Sequence, residues 1–257
     1  MPRYALLIEY DGRGFVGWQR QSNGTSVQEV LEAAAAKLNG EVPIHATAAG
    51  RTDSGVHAEG MVVDLPLGTT LPLARLRAAL NFHTRPHALA VLATALAPEG
   101  WSPRFSAVQR HYRYRILNRP ARPALKEGRV WHVPVPLDAP AMHEAAQMLL
   151  GRHDFSAYRA ASCQASHAVR TLDRLEVRRD ADEVLFEVSG RSFLHHQVRN
   201  LVGTLCQVGR GLRAIEWPRQ VLDELDRRAA GQTAPAEGLC FLRVDYPEPL
   251  AWDQDHI

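Results

Sequence analysis

The segment AGRTDSGVHA, Ala49 to Ala58, packs one arginine, one aspartate and one histidine among small residues. Such a segment turns tightly and holds its side chains on short, constrained backbone. A carboxylate at Asp53 with a cation two residues away at Arg51 offers an ionised oxygen nucleophile or a general base. The same pair also serves as a turn cap and a surface ion pair. His57 adds a second possibility, an Asp–His pair for small-molecule hydrolysis, although no second acid and no G-x-S-x-G segment accompanies it.

Three further stretches carry chemistry-bearing residues. In RHYRYRILN, period-two alternation puts Tyr112, Tyr114 and Ile116 on one strand face and His111, Arg113 and Arg115 on the other. That is a half-buried core strand, or a ring for base stacking beside arginines for phosphate. In GRSFLHHQVRN, a helix spanning the motif would point His195 and His196 about a hundred degrees apart, so they would not form a joint metal site. Arg199 follows on the same helix, placed either to reach water along an apolar face or to pair with a carboxylate. In APAEGLCFLRVDYP, Gly238 and Leu239 read as a loop and a core leucine ahead of a closing strand.

The elements that must position these residues follow from periodicity. RYALLIEY is a strand, and SVQEVLEAAAAKLNG is a helix capped by Ser26, boxed by Glu29 and stopped at Gly40. VPIHATAAG and GMVVDLPLG are strands on either side of the Asp53 turn. LPLARLRAALNF is a helix and ALAVLATALA a strand, which gives the order β-α-β-β-α-β. Beyond them come a strand at HYRYRILN, a helix capped by Asp138, a hairpin turning near Asp180–Asp182 and a helix over FLHHQVRNLVGTLCQVGRG. A helix over WPRQVLDELDRRAAG and the closing strand complete the chain. This pattern predicts an α+β fold of two ferredoxin-like or RRM-like halves with mostly antiparallel sheets around a central cleft. The expected domains are 1–107, carrying the Asp53 loop, and 108–257, carrying the tyrosine strand and Arg199.

Composition sets the class. The 257 residues are 46% hydrophobic and 23% charged, ordinary for a soluble globular chain. No apolar run is long enough for a membrane span, and no secretory signal is evident. The three cysteines lie far apart, as expected in a reducing cytoplasm. Net charge is only +2, but Ser106–Pro136 holds seven Arg or Lys against one acid, Glu127. Such a block is a solvated face or a surface for a polyanion.

Taken together, GRTDSGVHA, RFSAVQRHYRYRI, LLGRHDFSAYRA, GRSFLHHQVRNLVGTL and EGLCFLRVDYP resemble, in the same order, the blocks of the tRNA pseudouridine synthases of the TruA type. The resemblance implies that Asp53 is the catalytic nucleophile and Arg51 its neighbour in the site. It implies that Tyr112 stacks on the target base, Arg199 pairs with the catalytic carboxylate and Leu239 packs against the target nucleotide; Arg113 and Arg115, on the charged face of the tyrosine strand, are expected to meet the substrate's phosphates. It implies isomerisation of uridine to pseudouridine at positions 38–40 of the tRNA anticodon arm by a homodimer; such a reaction has no redox step or net hydrolysis and so needs no cofactor, and the histidine spacing gives no reason to expect a metal. Ser54 stands where alanine is usual, Cys240-Phe241 replaces a more usual Tyr-Leu, and NFHTRPHALAV lacks an acidic residue often seen there. A catalytically inactive RNA-binding protein of the same fold is the competing reading.

Overall fold

A computed structural model describes residues 1–253, which form two compact α+β units. The first takes Met1–Val108 and the returning segment from Phe241; the second takes Gln109–Cys240.

In the first unit, β1 (Arg3–Tyr10) lies between β3 (His57–Pro66) and β4 (Leu89–Leu96), antiparallel to both. A strand flanked on both sides is buried, which is why Ala5, Leu6, Leu7 and Ile8 run apolar without alternation. Arg3 at the start of β1 is tied across the ladder to Asp64 at 2.6 Å. Helices α1 (Val27–Lys37) and α2 (Leu73–His83) complete the predicted β-α-β-β-α-β order. The buried Ser26 hydroxyl caps α1 by accepting the Glu29 N–H at 3.2 Å, and Val27, Val30, Leu31 and Ala34 fill the core face.

The strand expected over VPIHATAAG contracts to β2 (Thr47–Ala48). The reason lies in α1. Glu32 accepts the Ala46 N–H at 3.0 Å and the Gln28 amide donates to the Ala46 carbonyl at 3.2 Å. Helix side chains have taken the main-chain groups that a longer ladder would use.

In the second unit, β10 (Glu183–Gly190) lies between β5 (Gln109–Leu117) and β9 (Arg174–Asp180), antiparallel to both. The short β6 (Trp131–His132) adds parallel to β5. Asp138 caps α3 (Ala139–Gln147) through the Ala141 N–H at 3.0 Å. A separate ribbon pairs β7 (Gly151–Asp154) with β8 (Val169–Leu172), which periodicity does not announce. Helix α4 (Gln197–Gly209) is buried around nearly its whole girth, as a central helix must be. Helix α5 (Trp217–Glu224) is shorter than its sequence pattern suggests. Leu225 turns left-handed at φ 58°, and Asp226 instead caps a new short turn by accepting the Arg228 N–H at 2.9 Å. The closing strand is β11 (Leu239–Asp245). No helix among the described residues is long and apolar enough to cross a membrane.

Ser26→Ala removes the α1 cap and leaves the Glu29 N–H without its acceptor. It is expected to lower the stability of the first unit by about 1 kcal/mol in urea denaturation. An unchanged midpoint would show that the cap carries no weight.

Candidate active site

Arg51 and Asp53 lie in the loop between β2 and β3, with Arg51 exposed and Asp53 half-buried. The Val56 N–H closes a turn onto the Asp53 carbonyl at 3.2 Å, with Gly55 at φ 80°, so the glycine is required by the turn. A second main-chain segment lies directly on this turn. Trp18 donates its N–H to the Thr52 carbonyl at 3.1 Å, and Gly55 N–H and the Ser54 hydroxyl reach the Phe15 carbonyl at 3.4 and 3.3 Å. Tyr10 and Thr52 share a buried hydroxyl–hydroxyl bond of 2.8 Å.

Two glycines permit this contact of backbone on backbone. A Cβ at Gly12 would fall 2.3 Å from the Val56 carbonyl oxygen, and one at Gly17 would fall 2.7 Å from the Thr52 oxygen. Gly17 also sits at φ 108°, where a side chain is strained. At these two glycines the Asp53 turn is clamped by main chain lying directly on main chain.

His57, only 8% exposed, belongs to the clamp. Its Nδ1 accepts the Gly12 N–H at 3.1 Å, which leaves that nitrogen unprotonated and assigns the proton to Nε2. The approach of Asp11 to Nδ1, at 3.3 Å, is then no donor–acceptor pair. Asp11 is held instead by Arg13 at 2.6 Å, whose hydrogen bonds keep the Asp11 carboxyl well below the usual carboxylate range. A histidine whose ring props the turn in this way is poorly placed for the hydrolytic role considered above.

In the second unit, β5 alternates as its sequence predicts. Tyr112, Tyr114 and Ile116 are buried, whereas His111, Arg113 and Arg115 are half-exposed. The Tyr112 ring meets Phe193 edge to face, 5.1 Å between centroids at 82°. Tyr114 lies deeper, and burial pushes its phenol well above the ordinary range. Its hydroxyl donates to the Pro235 carbonyl at 2.8 Å. Arg113 pairs with Glu187, its cross-strand neighbour, at 2.8 Å, and Arg115 makes two bonds to Glu183 at 2.7 and 2.8 Å. Lys126 bonds Glu183 and Arg119 bonds Asp182. Much of the basic block is therefore matched by acids of the β9–β10 hairpin, distant in sequence.

Arg199 sits half-buried on α4 with its Nε donating to the Ala234 carbonyl at 2.8 Å. Leu239 opens β11 and is buried. His195 and His196 are not on the helix. His196 takes φ 62°, α4 starts one residue later, and the two rings lie 4.0 Å apart, so the helical separation expected from sequence does not apply. The turn before the helix is fixed by Gln197, which accepts the Leu194 N–H on its side chain and donates its own N–H to the Leu194 carbonyl.

Sequence patterns alone did not single out Gly12, Gly17, Phe193 or the segment 226–235. The signal for the glycines is their presence in DGRGFVGW, a second Gly-rich turn of the same unit.

A family model described as tRNA pseudouridine synthase matches residues 6–106 and 145–247. The chain is 61% identical over 248 residues to tRNA pseudouridine synthase A of Acidiphilium cryptum, covering 96% of this chain and 97% of that protein. It is 54% identical over 249 residues to the protein of that name from a Methylobacterium species, covering 97% and 99%. With that of Gluconobacter oxydans it shares 51% over 250 residues, covering 96% and 91%.

Gly17→Ala drives a Cβ into the Thr52 carbonyl and strains the backbone, at an expected cost of about 1–3 kcal/mol. Amide exchange of Trp18 and Val56 is expected to accelerate by about fivefold to 100-fold, since about 1.4 kcal/mol corresponds to a factor of ten. Exchange in the middle of β10, in the other unit, should stay as it is. Unchanged exchange at Trp18 and Val56 would refute the clamp.

Proposed function

The chain belongs to the tRNA pseudouridine synthase family, a family of isomerases, and on that premise we propose that it converts uridine to pseudouridine in the anticodon stem-loop of tRNA, at positions 38–40, with Asp53 as nucleophile. The observation that carries the proposal is the Asp53 turn itself, a half-buried carboxylate on clamped backbone inside the matched stretch.

The chemistry suits one carboxylate. The reaction breaks the N-glycosidic bond, turns the uracil and rejoins it through carbon 5, with no net oxidation and no net hydrolysis. A carboxylate is ionised at neutral pH, attacks, and leaves again. Attack at C1′ parallels the covalent step of retaining glycosidases with a single acid; abstraction of the C2′ proton, giving a glycal, is the other route open to the same group. In this reading Arg199 supplies the cation that keeps the carboxylate charged away from water. Arg51 is its neighbour. Tyr112 supplies the stacking face and Leu239 the apolar contact for a base withdrawn from its stack, which costs a few kcal/mol.

Phosphate contacts come from the basic segment. Arg113 and Arg115 meet RNA as members of ion pairs, so their net positive field is smaller than a count of arginines implies. We take the active species to be a homodimer in the cytoplasm.

Tritium release from carbon 5 of uridine in unmodified tRNA tests the proposal. The unaltered protein is expected to release tritium. Asp53→Asn, nearly isosteric, is expected to lose release by at least about 10³-fold, the scale of removing an essential nucleophile, while tRNA binding stays within about twofold. Full release by Asp53→Asn would refute the nucleophile. Binding without release by the unaltered protein would make it an inactive RNA-binding relative.

A further inference from the structure

The geometry points to Asn200 and Thr233 as positioning residues. They lock the strap 226–235 onto α4, so that the guanidinium of Arg199 and the backbone leading to Leu239 are set by one device. The inference rests on the proposed reaction for the consequence of the lock, but not for its existence.

Asn200 is an unfavourable residue for the middle of a helix, because its amide competes for main-chain groups. Here the side chain is fully buried, and its oxygen and nitrogen are both engaged. The oxygen accepts from the Thr233 hydroxyl at 2.7 Å and from Arg227 at 3.1 Å. The nitrogen donates to the Tyr158 carbonyl at 2.9 Å. Arg227 also donates to the Thr233 hydroxyl at 3.1 Å, which closes a three-membered ring of bonds. No carboxylate enters that ring, so the strap is held through neutral acceptors.

Around this ring the strap docks residue by residue. Thr204 accepts the Gly231 N–H on its hydroxyl at 3.0 Å. Gly203 leaves room for the Gln232 carbonyl, whose oxygen would stand 1.8 Å from any Cβ there. Residues 199 and 234 bond in both directions. The Ala234 N–H donates to the Arg199 carbonyl at 3.1 Å, and Arg199 Nε donates to the Ala234 carbonyl at 2.8 Å. The strap then passes to Pro235, whose carbonyl receives the Tyr114 hydroxyl, and to Gly238, where a Cβ would fall 2.5 Å from the Tyr114 ring. Leu239 follows immediately.

Arg199 has several rotatable bonds, and a guanidinium positions a carboxylate only when its plane is fixed. The Ala234 carbonyl fixes it at Nε. That carbonyl is itself fixed by Thr233, its neighbour, on Asn200. Displacement of a positioning group by about 1 Å can cost a rate factor on the order of 10² without contact with the reacting atoms.

The test is Thr233→Val, which keeps shape and removes the donor at a half-exposed position, with Thr233→Ser as the conservative control. Two quantities are read on the full chain: amide exchange at Gly231 and Ala234, and kcat and KM for tritium release from tRNA. Thr233→Val is expected to speed exchange at both amides at least about tenfold and to lower kcat about tenfold with KM within about twofold. Thr233→Ser should restore both. Unaltered exchange in Thr233→Val would overturn the lock. Faster exchange with unaltered kcat would overturn its positioning role. Absence of tritium release by the unaltered protein would refute the proposed reaction instead, and the exchange result would still judge the lock.

Discussion

A reactive carboxylate on a loop needs a rigid base that does not crowd the space where a substrate must enter. For Asp53, the proposed nucleophile, the first unit provides such a base by laying one main-chain segment on another. Residues 12–18 contact residues 52–56 through carbonyls and N–H groups, at spacings that only glycine permits at positions 12 and 17. Main-chain contacts lose little side-chain entropy, and their geometry is set by the planar peptide. Everything proposed for Asp53 presupposes this clamp, because a freely moving turn would present the carboxylate at a changing distance and angle.

The second unit solves a related problem by different means. There the group to be fixed is a long, flexible cation, so a turn is not enough. The buried amide of Asn200 organises a ten-residue strap, and the strap returns a carbonyl to the side chain of the preceding helical residue, Arg199. Polar groups in a buried setting are costly when unpaired and specific when fully paired. Asn200 belongs to the second kind. Its oxygen and nitrogen all have partners, and the helix around it is apolar enough to leave them no alternative.

Much of this was readable in the chain. Period-two alternation in β5 gave the correct faces for Tyr112 and Arg113, and the caps at Ser26 and Asp138 are where the sequence puts them. Failures came where distant groups competed for the backbone. The strand around Ala46 was shortened by Glu32 and Gln28, and α4 began late because His196 turned left-handed. The charge of the 106–136 segment was also misleading taken alone, since Glu183 and Glu187 face it from another strand. Asp53 stood out by local density of turn and charge. Asn200 did not, because a single asparagine in a helical pattern signals nothing until the strap that it binds is known.

The most direct measurement of the central claim is a crystal structure of the protein with an anticodon stem-loop bearing 5-fluorouridine at the target position. An Asp53 carboxylate oxygen is expected either bonded to the ribose or within about 3–3.5 Å of C1′ or the C2′ hydrogen, with the 52–56 turn unmoved against residues 12–18. A target ribose attended by a different acid, with Asp53 turned to solvent, would contradict it.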